Sequence, residues 1–248
     1  MEAILAFGLL IGLILGGMWV QFAVAGAGLT YIWLLKGFGG WKALGLVSWG
    51  AANSFTLAAI PLFVLMAEIL LGSGLSTRLY NGVAPFMRRL PGGLLHTNIA
   101  GSGIFAAISG GSAPTAAAMS TVALPELSAR GYNKRLVAGS LAAGGTLGIL
   151  IPPSITMIIY ATFTETSIAR LFAAGLVPGI LLALCYMGFI MVRVLVNPSL
   201  APKVTTRATP GDLGRALLDI VPFLLLVIVF IQWKPAGLFP PRGRMADV

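Results

Sequence analysis

The residues most able to bind an ion or a substrate lie in the stretch AAISGGSAPTAAAM, residues 106–119. Ser109, Ser112 and Thr115 offer neutral hydroxyl oxygens, which are the ligand type that a hard cation such as sodium prefers. Gly110 and Gly111 allow the backbone to approach a ligand closely and to adopt positive φ angles. A second interpretation stays open, because small residues also let two membrane helices pack closely.

A second stretch, GGTLGILIPPSITMIIY at residues 144–160, interrupts an apolar run with two consecutive prolines. Proline removes an intrahelical donor and clashes with the preceding turn, so Pro152 and Pro153 should unwind the helix near its middle. A simple proline kink is the alternative. Successive apolar segments that are both broken beside Ser or Thr residues are typical of the paired discontinuous helices of transporter sites. We therefore expect the two breaks to form one site.

The elements that position these stretches are predicted to be membrane helices. Of the 248 residues, 58% are hydrophobic and only 9% are charged, and the mean hydropathy is +0.96. Lipid permits only helices or closed barrels to span it, and the apolar runs lack the period-two alternation of barrel strands. We therefore predict an all-α integral membrane protein, a helical bundle of the transporter type within a lipid bilayer.

The distribution of charge predicts how the apolar segments cross the membrane. These segments extend over residues 3–35, 55–71, 92–124, 136–163, 168–196 and 217–233. Most Lys and Arg residues lie in three loops, before 92, after 124 and after 192. If all three loops are cytoplasmic, as the positive-inside rule favours, the segment 92–124 enters and leaves on the same side.

We accordingly predict a re-entrant hairpin over residues 92–124, with the small-residue stretch at its tip, and a broken transmembrane helix over 136–163. Residues 1–50 are predicted to form N-terminal membrane helices, and residues 51–196 a first transporter repeat. Residues 197–248 are predicted to form a cytoplasmic loop, a last membrane helix and an irregular tail.

The reactive side chains argue against an enzyme. His96 is the only histidine and Cys185 the only cysteine, so a serine nucleophile has no evident base and no disulfide can form within the chain. No cluster has the spacing of transition-metal ligands. The net charge of +9 comes from loop residues that determine topology, and it does not indicate nucleic-acid binding. We interpret His96 as an interfacial or hydrogen-bonded structural residue.

Three stretches resemble the large permease subunit, of the DctM type, of TRAP transporters. They are NSFTLAAIPLFVLMAEIL from Asn53, LPGGLLHTNIAGSGIFAAISGGSAPTAAAMSTVALPEL from Leu90, and RGYNKRLVAGSLAAGGTLGILIPPSITMIIYATFTETSIARLFAAGLVPGILLAL from Arg130. They cover most of residues 45–185, and the hairpin and IPPSI segments follow the order found in that family. The resemblance implies that this chain corresponds to the N-terminal repeat of two inverted repeats, each of which contains one hairpin and one broken helix.

The resemblance also implies a function. It implies sodium-coupled symport of organic anions, such as C4-dicarboxylates or sugar acids, across the inner (cytoplasmic) membrane of a bacterial cell. The implied partners are a small TRAP membrane subunit and an extracytoplasmic binding protein that delivers the carboxylate solute, with Na⁺ as the coupling ion and no other cofactor. The implied sodium and substrate region comprises Ser109, Gly110, Gly111, Ser112, Thr115, Thr146, Gly148, Pro152, Pro153 and Ser154.

Two features depart from the family pattern. Gly111 stands where the family usually has serine, which removes one hydroxyl, although a backbone carbonyl could still serve. The chain also carries only one hairpin and broken-helix set, and KPAGLFPPRGRMADV after Trp233 turns polar where the family continues. We interpret this as a premature end by frameshift or truncation. The alternative function is a truncated non-transporting membrane protein, either a pseudogene product or an interaction scaffold; a channel is less favoured because no selectivity ring is evident.

Overall fold

The computed structural model describes residues 2–53, 57, 59–202 and 210–233. No residue in those ranges lies in a strand, so the prediction of an all-α protein is confirmed. The predicted irregular tail after Trp233 lies outside the described residues. The helices are α1 Glu2–Leu15, α2 Val20–Lys36, α3 Gly40–Ala52, α4 Ala59–Gly72, α5 Leu75–Met87, α6 Leu94–Ser109, α7 Ser112–Ala129, α8 Lys134–Leu150, α9 Ile155–Thr164, α10 Ile168–Val196 and α11 Pro210–Trp233. Short 3₁₀ helices occupy Gly37–Gly39 and Pro198–Leu200.

Within the part of the chain that the structure describes, two elements are long and apolar enough to cross a bilayer on their own. They are Lys134–Thr164, which joins α8 and α9 over 31 residues, and α10 with 29 residues. A bent pair, Ile60–Gly72 with Leu75–Met87, meets the same test when its two arms are taken together, but the arms differ in direction by 71°. The chain turns between those arms at Gly74, whose φ of +71° favours glycine.

The chain divides into two compact units. The first, Met1–Ser54, contains α1 to α3. The predicted apolar segment at residues 3–35 forms two short helices, α1 and α2, which pack against each other. The turn between them contains Gly17 at φ +81°, a conformation that suits a residue without a side chain.

The second unit, Phe55–Val248, contains an antiparallel pair of helices that α8 packs against. The pair is α6 and α7, joined by Gly110 and Gly111. Its interior is filled by large buried side chains, including Phe105 and Met119 of the pair and Leu147 of α8. Close packing of these side chains fixes the relative position of the three helices.

Small residues on α8 allow it to approach both helices of the pair closely. A side chain added at Gly144 would overlap Ser102 of α6, and one added at Gly145 would lie 2.7 Å from Ala116 Cβ of α7. Ser140, one turn before Gly144, accepts a hydrogen bond of 2.8 Å from the Asn98 amide of α6. Residues four apart lie on one helix face, so Ser140 and Gly144 form a continuous contact with α6.

The open end of the α6–α7 hairpin lies beside the end of α10. The Tyr132 hydroxyl accepts a hydrogen bond of 3.3 Å from the Leu94 backbone N–H at the start of α6. The adjacent Asn133 N–H donates at 3.1 Å to the Leu200 carbonyl, just after α10. The loops that precede α6, join α7 to α8 and follow α10 therefore meet at one end of the second unit. Two of them carry the arginines Arg88, Arg89 and Arg130.

Candidate functional site

The tip of the hairpin is a two-residue turn. Gly110 ends α6 in the left-handed conformation, with φ +64°, and its N–H donates to the Ala106 carbonyl at 3.0 Å. Gly111 follows with an extended backbone and leads directly into α7 at Ser112. A side chain at Gly110 would be strained by that φ and would lie 3.1 Å from the Pro153 carbonyl. Glycine at 110 is therefore required both by the turn and by what packs against it.

The break between α8 and α9 packs on this tip. The helix stops at Leu150, and the chain runs in extended or bent form through Ile151, Pro152, Pro153 and Ser154 before α9 begins. The first N–H of α9, from Ile155, donates to the Gly110 carbonyl at 2.8 Å. One of the unpaired N–H groups that every helix start exposes is thus satisfied by the hairpin and not by water.

Gly148 makes the second backbone contact between the two breaks. A Cβ built there would overlap the Gly111 carbonyl and lie 3.0 Å from the Ser112 nitrogen. Gly148 lies in the last turn of α8, and Ser112 is the first residue of α7. The end of α8 therefore meets the beginning of α7 at a distance that only glycine permits.

The opposite side of the break packs on α10. Side chains added at Gly175 and Gly179 would overlap Met157 and come within 3.0 Å of Ile151 Cγ1, respectively. Both glycines are buried in α10. The unwound segment is thus enclosed between α10 and the hairpin tip, which explains how irregular backbone is tolerated inside a membrane helix.

Hydroxyl groups line the interior of the tip. Ser109 Oγ and Thr115 Oγ1 are buried and 2.6 Å apart, and the Thr115 hydroxyl also lies 2.7 Å from the Gly111 carbonyl, to which it donates. Ser154 is buried as well, and its hydroxyl caps α9 by accepting the Met157 N–H at 3.4 Å. The hydroxyl of Ser112 is half-buried and makes no hydrogen bond to another described residue.

Four helix ends converge on this cluster. The amino ends of α7 and α9 carry partial positive charge, and the carboxyl ends of α6 and α8 carry partial negative charge. Exposed helix carbonyls favour cations, whereas helix N-termini favour anionic groups such as carboxylates. A single location in this unit thus combines the groups needed for a cation and for an anion.

The structure brings most of the predicted site residues together, but not all. Ser109, Gly110, Gly111, Ser112, Thr115, Gly148, Pro153 and Ser154 lie at the meeting of tip and break. Pro152 is half-buried within the break. Thr146 points elsewhere: it is exposed on α8, and its hydroxyl lies 3.1 Å from the Tyr186 hydroxyl of α10.

Two residues outside the predicted site also contribute to the contact between the tip and the break. Gly145 allows α8 to contact Ala116 of α7, and its signal was a run of small residues three to four apart along α8. Ile155 contributes a backbone N–H, which no residue type can reveal. Both are needed for the tip and the break to touch.

His96, near the start of α6, makes a structural hydrogen bond. His96 Nε2 lies 2.7 Å from the Pro91 carbonyl, which agrees with the interpretation of His96 as a hydrogen-bonded structural residue. Among the residues with described positions, no group of three or more His, Cys, Asp or Glu side chains is arranged to hold a metal ion.

The sequence is similar to those of known proteins. Residues 7–243 match the family described as Tripartite ATP-independent periplasmic transporter, DctM component. The C4-dicarboxylate TRAP transporter large permease protein DctM of Pseudomonas aeruginosa is 35% identical over 207 residues, which are 83% of this chain and 47% of that protein. The protein of the same name from Rhodobacter capsulatus is 31% identical over 262 residues, covering 99% of this chain and 58% of that one.

A relative that is named for a different substrate has a comparable sequence identity to this chain. The sialic acid TRAP transporter large permease protein SiaM of Vibrio cholerae is 30% identical over 239 residues, covering 95% of this chain and 54% of its own length. The chain spans about half the length of the curated relatives it matches. Because the family match extends over nearly the whole chain, the chain belongs to the DctM component family of tripartite ATP-independent periplasmic transporters.

Proposed function

We propose that this chain supplies one half of the site through which a TRAP-type permease takes up an organic anion together with sodium. The observation that carries the proposal is the hydrogen bond from Ile155 N–H to the Gly110 carbonyl, because it brings the hairpin tip and the broken helix into one site. Two discontinuous elements that meet in this way are the means by which secondary transporters bind ions and substrates within the membrane.

The sodium ion is assigned to the oxygen-rich side of the site. The carboxyl ends of α6 and α8 contribute carbonyl oxygens there, and Ser112 contributes a hydroxyl that no described residue engages. Ser109 and Thr115 hold the Gly111 carbonyl in place through their shared hydrogen bonds. Neutral oxygens in a fixed arrangement suit a hard monovalent cation.

The carboxylate of the solute is assigned to the amino ends of α7 and α9. Their partial positive charges can stabilise an anion without an arginine or lysine in the membrane interior. Two relatives are named for C4-dicarboxylates and one for sialic acid, and all of these solutes carry a carboxylate. We therefore assign organic carboxylates as the substrate class.

The working assembly includes further subunits. By membership of the family, the chain is assigned a small membrane subunit and an extracytoplasmic binding protein as partners, in the inner membrane of a bacterial cell. The second half of the site is assigned to sequence that corresponds to the remaining half of the longer relatives.

Uptake of labelled carboxylates into proteoliposomes tests the proposal. The 248-residue chain is compared with a chain joined to the second half of the Pseudomonas aeruginosa relative, each with that relative's small subunit and binding protein. We expect sodium-dependent uptake only by the joined chain. Sodium-independent uptake, or none by either chain while the intact relative is active in parallel, would contradict the proposal.

Ser112→Ala in the joined chain tests the sodium site itself. We expect about a tenfold weaker apparent affinity for sodium, because a ligand hydroxyl is lost. Ser128→Ala is the matched control, since Ser128 is exposed near the other end of α7. Equal sodium activation in both variants would remove Ser112 from the site.

A further inference from the structure

A cavity lies at the open end of the hairpin, away from the site described above. Its volume is about 460 Å³. The described residues that line it come from the loop before α6, the end of α10 and the segment after it: Arg88, Arg89, Leu90, Pro91, Gly92, Gly93, Val194, Leu195, Pro198, Ala201 and Pro202.

The charge of this cavity is positive and unbalanced. Arg88 and Arg89 are its charged lining residues, and no carboxylate is among the described residues that line it. Neither arginine forms an ion pair with a described residue, whereas Arg130 is paired with Glu126 at 2.7 Å. Two guanidiniums without a counter-charge at one cavity favour an anionic ligand, and guanidinium geometry matches phosphate in particular.

The first N–H groups of α6, beside the cavity, are already engaged, so recognition of an anion depends mainly on the arginines. Of the first N–H groups of α6, Leu94 donates to Tyr132, Leu95 to the Gly92 carbonyl and His96 to the Gly93 carbonyl. No anion can therefore be held by the helix N-terminus in the manner of a phosphate loop. The guanidinium groups of Arg88 and Arg89 are the charged donors among the described lining residues.

The remaining walls of the cavity are apolar. Leu90, Val194 and Leu195 contribute hydrocarbon, and the Leu195 side chain is 62% exposed. A small soluble anion gains no binding energy from contact with apolar walls, whereas a phospholipid carries acyl chains next to its phosphate. The combination of guanidiniums with an open apolar wall thus distinguishes a lipid from a free anion.

The position of the cavity also fits a lipid. It adjoins the last residues of α10, a helix of 29 residues that is long enough to cross the bilayer, so it lies where lipid headgroups begin. The positive-inside rule directs this arginine-rich end toward the cytoplasm. The cytoplasmic leaflet carries anionic lipids, and basic pockets between helices on that side bind their headgroups.

We propose that this cavity binds the phosphate headgroup of an anionic phospholipid, with Arg88 and Arg89 contacting the phosphate and Leu90, Val194 and Leu195 contacting the acyl chains. The bound lipid bridges the loop before α6 and the end of α10. It thereby joins the base of the hairpin to a membrane-spanning helix. This site is separate from the proposed sodium and carboxylate site, and it does not depend on that function.

Native mass spectrometry of the delipidated full chain, titrated with phosphatidylglycerol, tests this proposal. We expect one phosphatidylglycerol to bind more tightly than the rest, and Arg88→Gln with Arg89→Gln to weaken that binding by about 30-fold. Arg170→Gln is the matched control, because Arg170 is exposed at the opposite end of α10. Equal binding by the double variant and the control would overturn the proposal.

A second variant keeps both arginines. Leu195→Asp places a carboxylate at an exposed position in the cavity wall, close to the end of α10, and we expect phosphatidylglycerol binding to fall as in the double variant. Binding that is unaffected by Leu195→Asp overturns the assignment. Inorganic phosphate at millimolar concentration should not displace the lipid; full displacement would show a small-anion site and overturn the lipid proposal.

Discussion

The backbone N–H of Ile155 and the carbonyl of Gly110 are joined by a hydrogen bond of 2.8 Å, although the two residues belong to different broken elements. Ile155 begins α9, and Gly110 ends α6. The bond satisfies a donor and an acceptor that two interrupted helices would otherwise leave unpaired inside the membrane. It makes the hairpin tip and the helix break a single structural unit.

Ile155→Pro should remove this bond, and it also replaces the isoleucine side chain. Proline is compatible with the first position of a helix, and the preceding Ser154 already has the extended backbone that proline requires. We expect a loss of about 1–3 kcal/mol in the free energy of unfolding, because the Gly110 carbonyl loses its partner. Hydrogen–deuterium exchange should show faster exchange in residues 106–119.

Ile155→Val is the control for that experiment. It trims the side chain and retains the N–H, so its cost is that of a small cavity, about 0.5–1.5 kcal/mol, with no change in exchange at the tip. If the valine and proline variants exchange alike at the tip, the hydrogen bond does not couple the two elements.

Gly148→Ala should separate α8 from the tip. The added methyl group overlaps the Gly111 carbonyl, and backbone cannot rotate away as a side chain can. We expect a loss of about 1–3 kcal/mol, as for other overpacked interiors, measured as the free energy of unfolding in detergent. Gly139→Ala on the same helix has nothing within 4 Å of the new Cβ and should be neutral or stabilising. A neutral Gly148→Ala would show that the close contact is not maintained.

Ser140→Ala should destabilise the contact between α6 and α8. The Asn98 amide donates to Ser140 Oγ at 2.8 Å, so the variant leaves a buried donor unpaired at a cost of about 1–3 kcal/mol. Ser102→Ala is the matched comparison, because the buried Ser102 hydroxyl has no hydrogen-bond partner. Its removal should leave the unfolding free energy unchanged or raise it. A larger loss of unfolding free energy for Ser102→Ala than for Ser140→Ala would contradict this prediction.

Tyr132→Phe should weaken the open end of the hairpin and alter its response to alkali. Burial raises the pKa of the Tyr132 phenol, although the Leu94 hydrogen bond and the Arg130 and Arg88 guanidiniums act in the opposite direction. Because the phenol has a higher pKa in the folded state than in the unfolded state, its neutral form contributes to the stability of the protein. This contribution is complete below the unfolded pKa of about 10 and is lost as the pH rises through the folded pKa.

Unfolding free energies measured from pH 8 to 11 check that prediction. At pH 8 the variant should lose about 1–3 kcal/mol, because the buried Leu94 N–H has no acceptor. Above pH 10 the decline should be shallower in the variant than in the wild type. Tyr160→Phe, at a side chain that is 58% exposed, serves as the control. If the unfolding free energies of the wild type and Tyr132→Phe depend on pH in the same way, ionisation of the Tyr132 phenol does not contribute to the alkaline loss of stability.

The sequence by itself determined the class of the protein and the positions of its helix breaks. Sustained apolar runs with few charges allow only membrane helices, and the pairs Gly110–Gly111 and Pro152–Pro153 favour interruption of a helix, although Gly144–Gly145 lies within the continuous helix α8. The breaks at Gly110 and at Pro152 could therefore be located from residue types. These properties are local, so they need no knowledge of neighbouring helices.

The tertiary structure alone decided which residues of each break face the other. Thr146 and Gly145 are adjacent in the sequence, yet Gly145 packs on the hairpin and Thr146 on α10, because successive residues of a helix point in different directions. The partner of the Ile155 N–H likewise depends on how α9 docks against α6. Such contacts arise from packing between distant segments, which periodicity and composition do not specify.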